Sequence, residues 1–161
     1  MARTRKLALG LVAAGALAGI AAAPASADAA VQAPITTSIQ VYSDDTNLDE
    51  YNGYDVLTRD ARHSWQTFQL TQLEDGSYTI RGTHFGRCLA ATGRGQKITQ
   101  SPCNSGNLAQ RWLLDTRSDN TVIESRKFRG EVLQAHGLDR PVTIEAKGSG
   151  RAAQTWGLYI K

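Results

Sequence analysis

LAQRWLL, residues 108–114, decides the fold once it is set beside AAQTWGL at 152–158 and SWQTFQL at 64–70. In each stretch a Gln stands two residues before a large aromatic: Gln66 and Phe68, Gln110 and Trp112, Gln154 and Trp156. Successive glutamines are 44 residues apart. Shifting the chain by that period lays residues 66–109 on 110–153 without a gap. Leu70 then meets Leu114, Gly86 meets Gly130, Leu89 meets Leu133, Ala91 meets Ala135, and Ser105-Gly106 meets Ser149-Gly150. Turn residues that keep register with apolar positions mean one backbone shape used repeatedly. A third, more worn copy precedes these two, with Leu48 standing for Leu89. Leu48 to Gln66 is 18 residues against 21 in the other copies, so a loop there is shorter.

Within each copy the patterning is that of strands. TIRGTHFG (79–86), TVIESRKF (121–128), KITQSP (97–102) and VTIEAK (142–147) are short, partly alternating and rich in Thr, Val and Ile. Turn clusters at 74–77, 91–95, 104–107 and 117–120 separate them. No helical stripe runs through residues 28–161. The expectation is an all-β domain of about four strands per repeat, closed around a threefold axis. Closure removes exposed strand edges.

The ends of the chain carry different information. Arg3, Arg5 and Lys6 precede an uninterrupted apolar run from Leu7 to Ala23, and Ala25-Ser26-Ala27 follows. This reads as a secretory signal peptide over 1–27, cleaved near Ala27. The run is short and Ala/Gly-rich for a membrane span, which needs about 20 strongly apolar residues. The whole chain has a formal charge of +3 and a pI near 9.0. Three of its 18 basic residues lie in the export segment, which has no acid, so residues 28–161 carry 15 of each sign. The basic pI is therefore no argument for nucleic acid or an anionic membrane. Residues 28–161 form one domain by size. Cys88 and Cys103 fall in the exported part, where an isolated pair is most simply a disulfide. The alternative, a metal site, has only His84 as a nearby extra ligand, whereas zinc takes four. No cofactor is expected.

The Gln-x-aromatic period, GRCL at 86–89 and Ser101-Pro102-Cys103 together resemble the ricin B-type lectin family, in particular its small secreted bacterial members. The resemblance covers residues 36–161 and implies a β-trefoil with repeats at about 36–70, 71–114 and 115–161. It also implies that Cys88 and Cys103 are bonded within the second repeat. The physical reading agrees: an aromatic near the end of each unit converges on the axis and buries a large surface. The Gln before it can satisfy backbone groups where the loop folds back. Gln66, Phe68, Gln110, Trp112, Gln154 and Trp156 are thus read first as holding the fold together.

The resemblance also implies a shallow sugar pocket per repeat. An Asp after the Cys-Leu step accepts hydroxyls, an aromatic two residues before the second Cys stacks on the ring, and a polar residue precedes the Gln. In the second repeat these positions hold Ala90, Ser101 and Ala109, and in the third Gln134, Glu145 and Ala153. Both are expected not to bind sugar. The first repeat offers Asp49, with the aromatic position falling near Leu57 and Trp65 directly before Gln66. Its candidate site is therefore Asp49, Tyr51, Tyr54, Trp65 and Gln66. The plainer reading is that DDTNLDEYNGYD (44–55) is a hydrated loop whose acids cap turns.

Catalysis is not expected. His63, His84 and His136 have no metal-ligand spacing. Gly148-Ser149-Gly150 lacks the context of a nucleophile elbow, and GRGQK (93–97) lacks that of a phosphate loop. Adjacent loop acids such as Asp44-Asp45 and Asp49-Glu50 do not face each other across a cleft, as glycosidase carboxylates do. The expected function is a secreted carbohydrate-binding module with at most one intact pocket, meeting a glycan or polysaccharide weakly. The alternative is a protein-interaction module, a toxin-assembly subunit or protease inhibitor, using loops such as 126–131 and 137–141.

Overall fold

The computed structural model describes residues 33–61, 63–117, 120–148 and 151–161; the export segment read from the sequence lies outside them. Thirteen strands account for most of the order. In chain order they are β1 (Ile35–Val41), β2 (Asn47–Asp49), β3 (Leu57–Arg59), β4 (Phe68–Gln72), β5 (Tyr78–Gly82), β6 (Cys88–Ala91) and β7 (Ile98–Ser101). The remainder are β8 (Trp112–Arg117), β9 (Asn120–Ser125), β10 (Glu131–Gln134), β11 (Arg140–Pro141), β12 (Thr143–Ala146) and β13 (Trp156–Ile160).

Six of them close on themselves. Strand β1 pairs with β4, β4 with β5, β5 with β8, β8 with β9, β9 with β13, and β13 returns to β1, every pair antiparallel. Each repeat supplies two of these barrel strands. Three hairpins, β2–β3, β6–β7 and β10–β12, lie off the ring and cap one end. They are tied to one another: Arg140 pairs with Thr58, Asp55 with Thr99, and Lys97 with Thr143. This is a β-trefoil.

The alternation along β9, half-buried then buried for six residues, shows why these strands form: one face of each enters the barrel. Phe68, Trp112 and Trp156, the first residues of β4, β8 and β13, are completely buried, as are Leu48, Leu89 and Leu133 on the hairpins. The three aromatics are not equivalent in bonding. Trp112 Nε1 donates to the Leu89 carbonyl at 3.2 Å, and Trp156 Nε1 to that of Leu133 at 3.3 Å. Phe68 has no donor with which to do the same for its own repeat.

The conserved shape of the hairpin ends rests on the glutamines. Gln110 accepts from the Asn104 N–H and donates to the Pro102 carbonyl and Ser101 Oγ. Gln154 accepts from the Gly148 N–H and donates to the Ala146 carbonyl and Gln134 Oε1. Gln66 donates to the Asp60 carbonyl at 2.6 Å and to Asp49 Oδ2 at 3.3 Å. Each amide thus closes the loop behind its own hairpin. The bond between Cys88 and Cys103 fastens the same loop in the second repeat.

Candidate functional site

Asp49 is the last residue of β2, and its carboxylate is buried with no exposed surface. Oδ2 accepts the amide of Gln66, while Oδ1 has no hydrogen-bond partner. Burial pushes its pKa above the ordinary Asp value of 3.8; the Gln66 hydrogen bond and the nearby Arg59 and His63 oppose that rise. Strand pairing shows what stands opposite. Asn47 faces Arg59, as Cys88 faces Ser101 and Val132 faces Glu145. The position of the stacking aromatic in the first repeat is therefore Arg59, two residues beyond Leu57. The shortened loop displaces the alignment, which only the register resolves. Arg59 pairs with Asp139 at 3.0 Å and lies 5.5 Å from the centre of the Tyr51 ring. Asp139 arrives from the third repeat, held by its own N–H on the Thr58 carbonyl.

The remaining candidate rings go elsewhere. Tyr54 is exposed and packs under the Arg87 guanidinium, 4.5 Å from its ring centre. Trp65 stacks on His84 at 5.2 Å with 29° between the planes, and also touches Phe85. Asp49 and Gln66 are thus in direct contact, Tyr51 joins them through Arg59, and Tyr54 and Trp65 pack against the β5–β6 turn.

That turn is held by Glu50, which the sequence reading passed over. Its side chain is fully buried, and its two carboxylate oxygens accept the N–H groups of His84 and Phe85 at 2.9 and 3.2 Å. Burial raises its pKa above 4.5 against the lowering effect of those hydrogen bonds. Gly82 makes room for it: a Cβ there would lie 1.9 Å from the carboxylate. In the other repeats the equivalent residues are Ala91 and Ala135, both buried apolar core. The signal was present in the repeat alignment, as an acid on a core position.

The other two repeats are built differently. Ala90 and Ala109 are buried methyls, and the Ser101 hydroxyl is taken by Gln110. In the third, Gln134 occupies the place of Asp49 and accepts the Gln154 amide, while Glu145 accepts from Thr143. Among the described residues, no group of three His, Cys, Asp or Glu side chains is placed to hold a metal, and no helix is long and apolar enough to cross a membrane.

Residues 37–156 match the family model of the ricin-type β-trefoil lectin domain. The chain belongs to the ricin-type β-trefoil lectin family. That family consists of carbohydrate-binding, non-catalytic modules. No curated protein matches the chain in sequence. Solved ricin-type and other trefoil structures match it in shape. The agglutinin of Rhizoctonia solani superimposes with a TM-score of 0.69 at 15% identity, covering 81% of this chain and 97% of that one. The C-terminal half of the earthworm R-type lectin, solved with GalNAc, gives 0.61 at 15% identity over 80% and 100%. ThreeFoil, a designed threefold-symmetric protein, gives 0.68 at 22% identity over 77% and 97%. In several larger proteins with the same trefoil the chain spans only 35%, 16% or 32% of the matched chain. At these identities the likeness establishes the fold.

Proposed function

We propose that residues 28–161 are a secreted lectin module with one sugar pocket, in the first repeat, built on Asp49 and Gln66. The observation that carries this is the Asp49 carboxylate, fully buried, fixed by Gln66 through one oxygen and unpartnered at the other. A buried acceptor without a partner costs about 1–3 kcal/mol, more when charged. The fold does not need that cost, since Gln134 makes the corresponding contact in the third repeat without a charge. A carboxylate oxygen in that position accepts a sugar hydroxyl. The neighbouring Arg59–Asp139 pair is largely a surface contact, worth about 0–1 kcal/mol, so its parting to admit a ligand is inexpensive. Arg59 and Asp139 then supply a donor and an acceptor at the mouth, and Tyr51 a ring beside them. With Ala90 and Gln134 in the equivalent positions, the second and third repeats contribute no pocket. A single shallow site gives weak binding of a monosaccharide, on the order of 1 mM, and stronger retention on a multivalent glycan.

The test is a glycan array and polysaccharide pull-down with oxidised protein beside Asp49→Asn. Binding that the substitution removes, with an unchanged or raised melting temperature, is the expected result. A folded, disulfide-bonded protein that retains no glycan would refute the sugar reading and leave the protein-interaction role in its place.

A further inference from the structure

The contacts of Glu50 join two surface loops into one aromatic ledge. Phe85 lies against Gly53, whose added Cβ would sit 3.0 Å from the ring, and Gly53 stands between Tyr51 and Tyr54. Phe85 also meets His84 edge to face at 4.5 Å, and His84 continues onto Trp65. Tyr51, Tyr54 and Phe85 are 39%, 62% and 37% exposed, and His84 is exposed as well. Two of these rings have one face engaged by a cation, Tyr51 by Arg59 and Tyr54 by Arg87, and Arg87 is steadied by a hydrogen bond to the Gly53 carbonyl. Rings backed on one side and open on the other are stacking platforms for the apolar face of a pyranose. Their guanidinium partners place donors alongside.

We infer that this ledge is a second binding surface, which holds the further units of a glycan chain whose terminal residue occupies the Asp49 pocket. Arg59 connects the two surfaces, since it stands across the β2–β3 hairpin from Asn47, on the strand paired with Asp49, and over the Tyr51 ring. The role of Glu50 follows. A desolvated carboxylate replaces the core Ala of the other repeats and spends both oxygens on the backbone of the turn that carries His84 and Phe85. Rules of core packing are broken at functional sites and offset elsewhere; here the broken rule orders a surface. The ligand class is thus an oligosaccharide of several units. The inference rests on the Asp49 pocket as the anchor of the chain end.

The experiment is titration of oxidised protein with galactose-, xylose- and glucose-based β-linked saccharides of one to six units, followed by tryptophan fluorescence. Of the three tryptophans, Trp112 and Trp156 are fully buried, so a ligand-dependent change reports Trp65. At least one series is expected to bind with affinity rising about tenfold or more from the single sugar to the hexasaccharide. Tyr54→Ala and Phe85→Ala each lower hexasaccharide affinity roughly three- to tenfold. Both leave single-sugar affinity unchanged; Tyr54→Ala also leaves the melting temperature unchanged, whereas Phe85→Ala gives up packing on Gly53, His84 and Trp65 and lowers it while the protein stays folded. Asp49→Asn removes single-sugar binding and so tests the pocket separately. Length-independent affinity, or hexasaccharide binding indifferent to Tyr54 and Phe85, overturns the ledge while the pocket stands. Absence of binding in all three series, with no glycan retained on the array, overturns both.

Discussion

Gly82→Ala is the substitution whose effect can be worked out most directly. The residue ends β5, and nothing about its backbone demands glycine; space does. A Cβ would lie 1.9 Å from Glu50 Cδ and Oε2 and 2.5 Å from Oε1. The carboxylate must leave, which breaks its hydrogen bonds from His84 and Phe85. Those N–H groups lie near the surface and recover partly with water, so the two bonds together count for about 2 kcal/mol. Moving a buried, packed side chain adds about 1–3 kcal/mol of strain. Gly82→Ala should therefore cost about 3–5 kcal/mol. Glu50→Ala alone, which restores the residue found at Ala91 and Ala135, loses the same bonds without the strain and costs about 2 kcal/mol. In the double variant the new methyl enters the vacated volume, so the total stays near that of Glu50→Ala. The double variant then costs about 3–5 kcal/mol less than the sum of the two single costs, which is the coupling. Urea unfolding of all four proteins, read by tryptophan fluorescence, measures it. Costs that add to within about 0.5 kcal/mol would show that Gly82 and Glu50 act independently and would refute the steric account.

Three further outcomes are expected. Because burial raises the pKa of Asp49 and Glu50, their favourable contribution is complete below the ordinary carboxylate values and is lost as pH climbs through the raised ones. Stability should fall over that interval in the native protein, and Asp49→Asn should flatten the fall in thermal melts taken across it. Asp75, whose pKa is lowered by hydrogen bonds from Ser77, and Asp115, lowered by Arg117 and Lys147, act in the opposite sense at lower pH. Reduction of Cys88–Cys103, or its replacement by two serines, opens a loop of 15 residues and should cost about 3 kcal/mol in denaturant midpoint terms. Trp112→Phe strips the Leu89 carbonyl of its donor inside the core and should destabilise by about 1–3 kcal/mol. Phe68→Trp, lacking a prepared cavity, should not return the gain, and calorimetry distinguishes the two.

Much of the candidate site was legible as positions and little of it as contacts. Asp49 stood out because it follows Leu48 as Ala90 follows Leu89, and Gln66 because it keeps the period. Tyr51, Tyr54 and Trp65 were nominated by proximity along the chain. The fold sends Tyr54 to Arg87 and Trp65 to His84, both on a turn of the next repeat, 33 and 19 residues away in sequence. Arg59 was missed because the shortened loop of the first repeat obscures its alignment, and pairing with Asn47 is what assigns it. Glu50 looked like one more loop acid, although its equivalents are alanines.

The sequence by itself determined the architecture. A 44-residue period that keeps glycines, leucines and a Gln-x-aromatic step in phase requires one unit folded three times, and short β-rich runs between turns make that unit a set of strands. These are local and periodic properties, so a one-dimensional reading captures them. The tertiary structure alone decided which side chains share a surface. A carboxylate on β2's flank holds a turn of the second repeat, an aspartate of the third pairs with an arginine of the first, and Trp65 of one segment meets His84 and Phe85 of another. Such neighbours depend on how repeats pack around the axis and on hairpin register, and no spacing along the chain encodes either one.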